Sequence, residues 1–325
     1  MATVKLYKPK ENKSYDITEA LASYSWSGAT LSAGRTLEID YVNAPYDSNV
    51  KAPQISLGDF VALLSDSGQE IFFGQLYEIE RSSDIGTISY TAYDMMKNLL
   101  ESSGKYNFKN RTPEAITVQV CTDLGIPTGT LAPTGINIKS LLADEKSIYD
   151  IIMEAYTKAH VIDGKYYMAL IWNRMLNVYE SNYYVANFEL SDDLNISSAS
   201  ITENVDSLQN KIKIYDENGK QIGEVKDDDS ISMFGVFQGI YTKEKNVNPQ
   251  TGATAKLSSK PTQKISIFAI GDINCLSGYN IMVKDSATGV HARYWIISDK
   301  HTWSDGNHMM DLELQFDRIM DQKES

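Results

Sequence analysis

A hydrophobic period of two returns from one end of this chain to the other, and it commits most of the molecule to sheets. Residues 59–64 (DFVALL), 70–80 (EIFFGQLYEIE) and 87–93 (TISYTAY) read as strands. Ser65-Asp66-Ser67-Gly68 and residues 82–86 (SSDIG) separate them with turn chemistry, giving an antiparallel meander. Earlier strands are expected at residues 4–7, 23–26 and 37–42. In the last strand Met310, Leu312, Leu314 and Phe316 alternate with Asp311, Glu313, Gln315 and Asp317, so one face is expected to be buried and the other acidic.

The period changes in the middle of the chain. Residues 94–102 place Met96, Leu99 and Leu100 on one helical face. Thr112-Pro113-Glu114 opens a second helix with a cap, a proline at the first position and an acid at the positive end. Its stripe is Ile116, Val120 and Leu124, and Gly125 stops it. Ser147 and Asp150 open a third helix, with Ile148, Ile151, Ile152, Ala155 and Ala159 as its stripe. A hairpin follows, residues 166–171 with 176–179. From about 205 the period is two again. Residues 211–215 and 221–225 flank Asn218-Gly219, a strong hairpin turn. Residues 226–229 (KDDD) read as a solvated loop and residues 244–264 as a mobile excursion rich in Pro, Gly, Ser, Thr and Lys. Further strands are expected at 265–270, 280–283 and 292–297. The fold class is therefore α+β, predominantly β. Two barrel-like antiparallel domains, 1–94 and 204–325, flank a central α+β unit at 95–203.

The two β-rich regions echo each other. Gly58 precedes a strand and Gly86 ends a later turn; Gly278 precedes a strand and Gly306 ends a later turn at the same spacing. Any two antiparallel meanders share some pattern. A duplicated domain is the sharper reading, and it would let three chains close a ring of six similar units.

Composition narrows the function. With 325 residues and 36.3 kDa the chain can hold more than one core. Its 42% apolar and 22% charged residues are ordinary for a globular protein. Thirty Lys and Arg against 43 Asp and Glu leave a charge of −13, which argues against specific nucleic-acid binding and against docking on anionic membranes. Twenty tyrosines suit half-buried strands and protein interfaces. Cys121 and Cys275, widely separated in the chain, form neither a disulfide framework nor a zinc site. The N-terminus has no apolar signal core and no apolar run is long enough to span a bilayer, so synthesis in a reducing cytoplasm without a signal peptide and without membrane insertion is expected.

Candidate chemistry is sparse. His301, Trp303, Asp305 and His308 cluster in a short segment that reads as a loop; without a further ligand or a helical i,i+4 pair, it reads as structural and not as a metal site. Cys121 sits on a helix stripe and His160 at a helix end, and nothing nearby would activate the thiol. Glu78 and Glu80 share a strand face and read as a solvated edge. No phosphate loop, dinucleotide, zinc-protease, nucleophile-elbow or EF-hand pattern occurs, and no cofactor, metal or catalytic residue is expected.

Several segments together resemble a known family. Ala92-Tyr93-Asp94 followed by Leu99-Leu100, Tyr106-Asn107-Phe108-Lys109 before a Thr-opened helix, and residues 146–152 (KSIYDII) look like XkdQ-type proteins of the PBSX prophage and related contractile particles. KIKIYDENGKQI, SMFGVFQGIY, FAIGDINCLSGYNIMV and ISDKHTWSDGNHMMDLELQF are similar too, so the likeness runs in order from about Gly58 onward. Two departures are the glycine-free turn at Trp172-Asn173-Arg174 and a short, weakly helical stretch at about 250–260. The resemblance implies a baseplate hub related to phage late-control D proteins. Such hubs are homotrimers with two tube-like β-barrel domains per chain, joining a six-fold tail tube above to a three-fold spike below, among other baseplate proteins. On that reading Asp311, Glu313, Gln315 and Asp317 are candidates for a channel or interface face. The rivals are a tail-associated cell-wall hydrolase and a carbohydrate- or receptor-binding β-module.

Overall fold

A computed structural model of the chain describes residues 2–42, 53–81, 86–182, 184–243 and 248–323. The expected turn at Asp84 lies outside them; Gly86 lies within them. Two compact units emerge: Met1–Ser200 with Ser266–Ser325, and Ile201–Ile265.

The first unit begins with β1 (Thr3–Lys8), β2 (Lys13–Asp16), β3 (Leu21–Ala29), β4 (Ser32–Val42), β5 (Phe60–Leu64), β6 (Glu70–Arg81) and β7 (Thr87–Tyr93). A central α+β segment follows: α1 (Met96–Glu101), β8 (Ser103–Arg111), α2 (Pro113–Asp123), β9 (Thr128–Leu131), β10 (Ile138–Ser147), α3 (Ile148–Asp163), β11 (Tyr167–Trp172) and β12 (Met175–Glu180). Next come β13 (Tyr184–Ser191) and β14 (Ile196–Asn204). The second unit holds β15 (Lys211–Tyr215), β16 (Gln221–Lys226), α4 (Asp228–Phe234), β17 (Gln238–Thr242) and α5 (Pro249–Ala255). The chain then adds β18 (Thr262–Ile270), β19 (Asn280–Asp285), β20 (Val290–Ser304) and β21 (Asn307–Gln315). The molecule is predominantly β, with its helices gathered mainly in the central segment.

The expected helix signals act as local physics dictates. Thr112 accepts a hydrogen bond from the Ala115 amide at 3.3 Å, and Ser147 accepts one from Asp150 at 3.0 Å. Gly164, at φ 72°, closes α3. Ile116 and Val120 of α2 meet the α3 stripe in one core with Met96, Phe108, Leu141, Tyr167 and Val178, whereas Leu124, expected in the α2 stripe, lies just past the helix end and is exposed. The glycine-free turn is real: Asn173 and Arg174 both take positive φ, 51° and 58°. Arg174 lies 3.6 Å over the Phe73 ring and bonds Glu70 through Nε at 2.8 Å, which ties the hairpin to β6.

Several expectations need correction. Residues 226–229 are not simply a loop, because Asp227 caps α4 by accepting from Ser230 N at 3.0 Å. The 244–264 excursion contains α5, capped by Asn248, with Ala253 buried against Tyr241; its residues 244–247 lie outside the described set. The segment from His301 to His308 is no loop. His301 is on β20 opposite Met310, His308 is on β21 opposite Trp303, and only Asp305-Gly306 turns between the strands. Phe316, expected in the core, is 62% exposed because β21 ends at Gln315.

The main sheet runs β14-β18-β21-β20-β3-β4-β7-β6-β5-β1-β2, with β13 attached through β19 to β20. The terminal regions thus share one sheet. Their joint is β20 against β3, antiparallel from Ser298↔Ala29 to Ser304↔Ser23.

The sequence echo is also a structural one. Gly58 and Gly278 take φ 86° and 87°. Gly58 N bonds Leu76 O at 3.0 Å and Gly278 N bonds Ile296 O at 2.8 Å; Leu76 N bonds Asp59 O at 2.9 Å and Ile296 N bonds Tyr279 O at 2.8 Å. One constant offset in numbering relates every member of the first set to its counterpart in the second. The following register shift recurs at that offset too, between Leu76 and Glu78 and between Ile296 and Ser298. The repeat covers the strand set β3, β4, β5, β6, β7 against β14, β18, β19, β20, β21, in the same sheet order.

The joint is fixed by buried charge. Arg35 of β4 reaches across β3 to Asp299 of β20, with Nη1 to Oδ1 at 3.1 Å and Nη2 to Oδ2 as the second bond. It crosses at Gly28, where a Cβ would sit 2.5 Å from Nη1. The guanidinium also lies 3.9 Å over the Trp26 ring. Asp299 is fully buried and takes a further bond from Ser277 N at 2.7 Å. Beside it His301 and His308 face each other, Nδ1 to Nε2 at 3.1 Å, with His308 stacked 4.2 Å from Trp303.

Removing one member of a buried pair costs about 3–5 kcal/mol, whereas replacing both with apolar groups costs far less. Arg35→Met should therefore lower the urea midpoint sharply, and Arg35→Met with Asp299→Leu should recover part of the loss; additive losses would show that the pair is not coupled. The histidines predict an acid effect. Burial pushes both imidazoles below their usual value, His308 to about 4 with His301 adding to the fall. A depressed folded value means that stability is intact above about pH 6.5 and is lost as pH falls toward 4. Buried Asp94, raised to about 6, works in the opposite direction below that pH. His308→Gln should flatten the fall in melting temperature between about pH 7 and 4.5 relative to the parent, and an unchanged profile would exclude the pair as its source.

Candidate functional site

The main sheet separates its two faces by alternation along every strand. On one side Tyr24 and Trp26 of β3, Leu37 and Ile39 of β4, Leu76 of β6, Tyr90 and Ala92 of β7, and Trp303 of β20 are buried together. The side chains between them form the opposite, polar face.

That face can be read in rows. Asp311 of β21 stands opposite Lys300 of β20, then Ser27 of β3, Thr36 of β4 and Tyr93 of β7. The next row runs Met309, Thr302, Ser25, Glu38, Thr91 and Glu78, and the one after runs Asn307, Ser304, Ser23, Asp40, Ser89 and Glu80. The rows cross the β20–β3 joint without interruption. Among the described residues of these rows and the adjoining Glu313, the carboxylates Glu38, Asp40, Glu78, Glu80, Asp311 and Glu313 accompany a single lysine, Lys300.

Neighbouring hydroxyls hold some of these acids. Ser23 Oγ donates to Asp40 Oδ2 and Ser89 Oγ to Asp40 Oδ1, both at 2.6 Å. Ser25 Oγ donates to Glu38 Oε2 at 3.1 Å, and Lys300 Nζ lies 3.4 Å from the same oxygen. Partial burial raises the Asp311 carboxyl against the pull of Lys300. An open groove of ≈ 670 Å³ crosses this face, lined in part by Ser27, Ser198, Ser200, Lys300, Asp311 and Glu313.

Of the residues singled out in the sequence, Asp311, Glu313 and Gln315 share one side of β21. Asp317 lies past the strand end and is exposed. Glu78 and Glu80 belong to the same polar face, reached across β20, β3, β4 and β7. Sequence reasoning misses Glu38 and Asp40, although their alternation with Leu37, Ile39 and Tyr41 is visible in the chain. Cys121 is buried and its thiol is pushed up to about 12, so it is held protonated; His160 bonds Lys165 O through Nδ1 at 2.8 Å. The His301–His308 pair and Asp299 serve the joint.

The YQBQ-like family model matches residues 24–315. The chain is 25% identical over 301 residues to the phage-like element PBSX protein XkdQ of Bacillus subtilis, covering 90% of this chain and 91% of that one. Its fold is similar to the 43 kDa tail protein of prophage MuSo2 from Shewanella oneidensis, with TM-score 0.75, 14% identity and coverage of 97% and 98%. It is also similar to the E. coli c3393 protein, a type VI secretion component with structural similarity to T4 tail proteins gp27 and gp5, with TM-score 0.55, 11% identity and coverage of 93% and 76%. The chain belongs to the YQBQ-like family and is an XkdQ-type prophage tail or baseplate protein.

Proposed function

We propose that this chain is the hub of a contractile tail or tail-like particle, a homotrimer that adapts a six-fold tail tube to a three-fold spike. The observation that carries the reading is the repeat. Two strand sets with matched glycines, matched backbone bonds and a matched register shift lie side by side in one sheet. Three such chains present six similar units, which is what a three-fold body needs in order to meet a six-fold one. The fold likeness to a secretion component that itself resembles T4 gp27 and gp5 supports the same reading.

The polar face suits the lumen of such a ring. Glu38, Asp40, Glu78, Glu80, Asp311 and Glu313 make it negative, and a like-charged wall lets DNA pass without adhering. The strand rows leave the aromatic core behind the wall, so the lining can be polar without weakening the packing that supports it.

Light scattering across a concentration series should give three times the 36.3 kDa chain mass, and negative-stain views down the axis should show a ring with a central hole. A monomer or dimer at every concentration would overturn the trimeric reading. A ring carrying Glu38→Lys, Glu78→Lys and Asp311→Lys should retain duplex DNA at low salt, where the parent ring does not. Equal retention by the two would remove the lining assignment.

A further inference from the structure

The repeat leaves one joint unmatched, and that mismatch identifies an interface. Within the chain the second half of β20 is covered by β3. The first half of β20 pairs with β19, up to the bonds of Gly278 and Tyr279 with Ile296; then Thr30 N bonds Ile297 O at 2.8 Å and β3 takes over from Ser298. In the other copy β6 follows the same course. Its first half pairs with β5, up to the bonds of Gly58 and Asp59 with Leu76. Beyond that point, among the described residues, no strand covers the edge of β6 opposite β7. Tyr77, Glu78, Glu80 and Arg81 are exposed there.

The strand equivalent to β3 is β14. β3 runs Leu21–Ala29 and β14 Ile196–Asn204, so the two have equal length and one offset relates both ends. Serines fall at matched places, Ser23 and Ser25 against Ser198 and Ser200. The next strands match as well, since buried Leu37, Ile39 and Tyr41 correspond to Ile265, Ile267 and Ala269. Among the described residues β14 pairs only with β18, so its far edge is also uncovered. An uncovered edge is a row of unpaired amides and carbonyls ready to take another strand.

We infer that β6 of one subunit pairs antiparallel with β14 of the next, repeating between copies the joint that β20 and β3 make within one. This rests on the trimeric reading above and goes further by naming the edges and the register. Each chain offers one edge of each kind, so the contact is head-to-tail, and in a trimer three such contacts close a ring. Transferring Ser298↔Ala29 and Lys300↔Ser27 places Glu78 opposite Asn204 and Glu80 opposite Thr202 on the lumen side. It places Arg81 opposite Ile201 on the other side, diagonal to Glu203. The charge lock is not repeated. Ile79, Glu203 and Gln263 stand where Asp299, Gly28 and Arg35 stand in the chain's own joint, and Gln263 Nε2 bonds Glu203 at 2.5 Å. The joint between copies is thus built to be assembled from separate chains, with Arg81 as the cation that reaches Glu203 of the neighbouring copy.

Disulfide trapping tests the register. Directly opposed strand residues have Cα atoms about 4.5–5.5 Å apart, within disulfide reach, while a four-residue slip moves them about 13 Å. The native Cys121 and Cys275 are buried and leave a low background. An equimolar mixture of Glu80→Cys and Thr202→Cys chains, co-assembled and oxidised, should give mixed dimers on non-reducing gels. Glu80→Cys mixed with Ser198→Cys should give none. If light scattering reports a trimer but the first mixture fails to link, or the second links instead, the seam is overturned and the trimeric reading stands. If the chains remain monomeric, both fall. Arg81→Glu should weaken assembly at least tenfold and Glu203→Arg should restore it; Arg81→Glu without effect would remove the cross-subunit ion pair.

Discussion

A buried ion pair, Arg35 with Asp299, holds the two ends of the chain in one sheet. It joins residues 264 positions apart and sits where the sheet of the N-terminal region becomes the sheet of the C-terminal region. A carboxylate with no exposed surface is tolerated only when its charge and lone pairs are matched. Here two guanidinium nitrogens and the Ser277 amide match it. The guanidinium can arrive only because position 28 has no side chain, and Trp26 supports it through its ring face. The lock therefore specifies register: a slip of one residue along β20 would turn Asp299 to the other face and leave the arginine without its carboxylate.

With register fixed, the two faces of the sheet can be used for different purposes. The inner face packs rings, Tyr24 on Trp303 at 5.1 Å among them. The outer face carries carboxylates, among which Asp40 accepts from two serine hydroxyls and Glu38 from one serine hydroxyl beside Lys300. Because the rows continue across the β20–β3 joint, the face belongs to the whole sheet and not to either half. The same repeat that gives the sheet its length leaves, among the described residues, one uncovered edge in each copy of the pattern. The proposed trimeric adaptor and the proposed acidic lining both rest on that one architecture.

Much of this is legible in the chain, and the reasons are local. Strands β6, β7 and β21 announce themselves because each carries an alternation of wet and dry positions, and β5 because it is a short apolar run bounded by turn residues, buried on both faces. The caps at Thr112, Ser147 and Gly164 are near-neighbour chemistry. Strands β8 and β10 escape notice because they form a two-stranded ribbon with few buried residues, so their alternation is weak. The histidines look like a loop in the sequence because a two-residue turn leaves little polar sequence to mark it. A cross-strand pair is visible only once the hairpin register is known.

Periodicity, helix boundaries, the sign of the charge and the matched glycine spacing are properties of the amino-acid order alone, since each depends on composition or on residues that are near in the chain. That the two β-rich regions share one sheet, that Glu38 and Asp311 line the same face, and that Arg35 finds Asp299 are settled only by folding. Those outcomes depend on pairing strands from opposite ends of the polypeptide, and no local propensity encodes a partner at that distance. What selects it is the single register in which the buried charges are satisfied and the aromatic face leaves water as one surface.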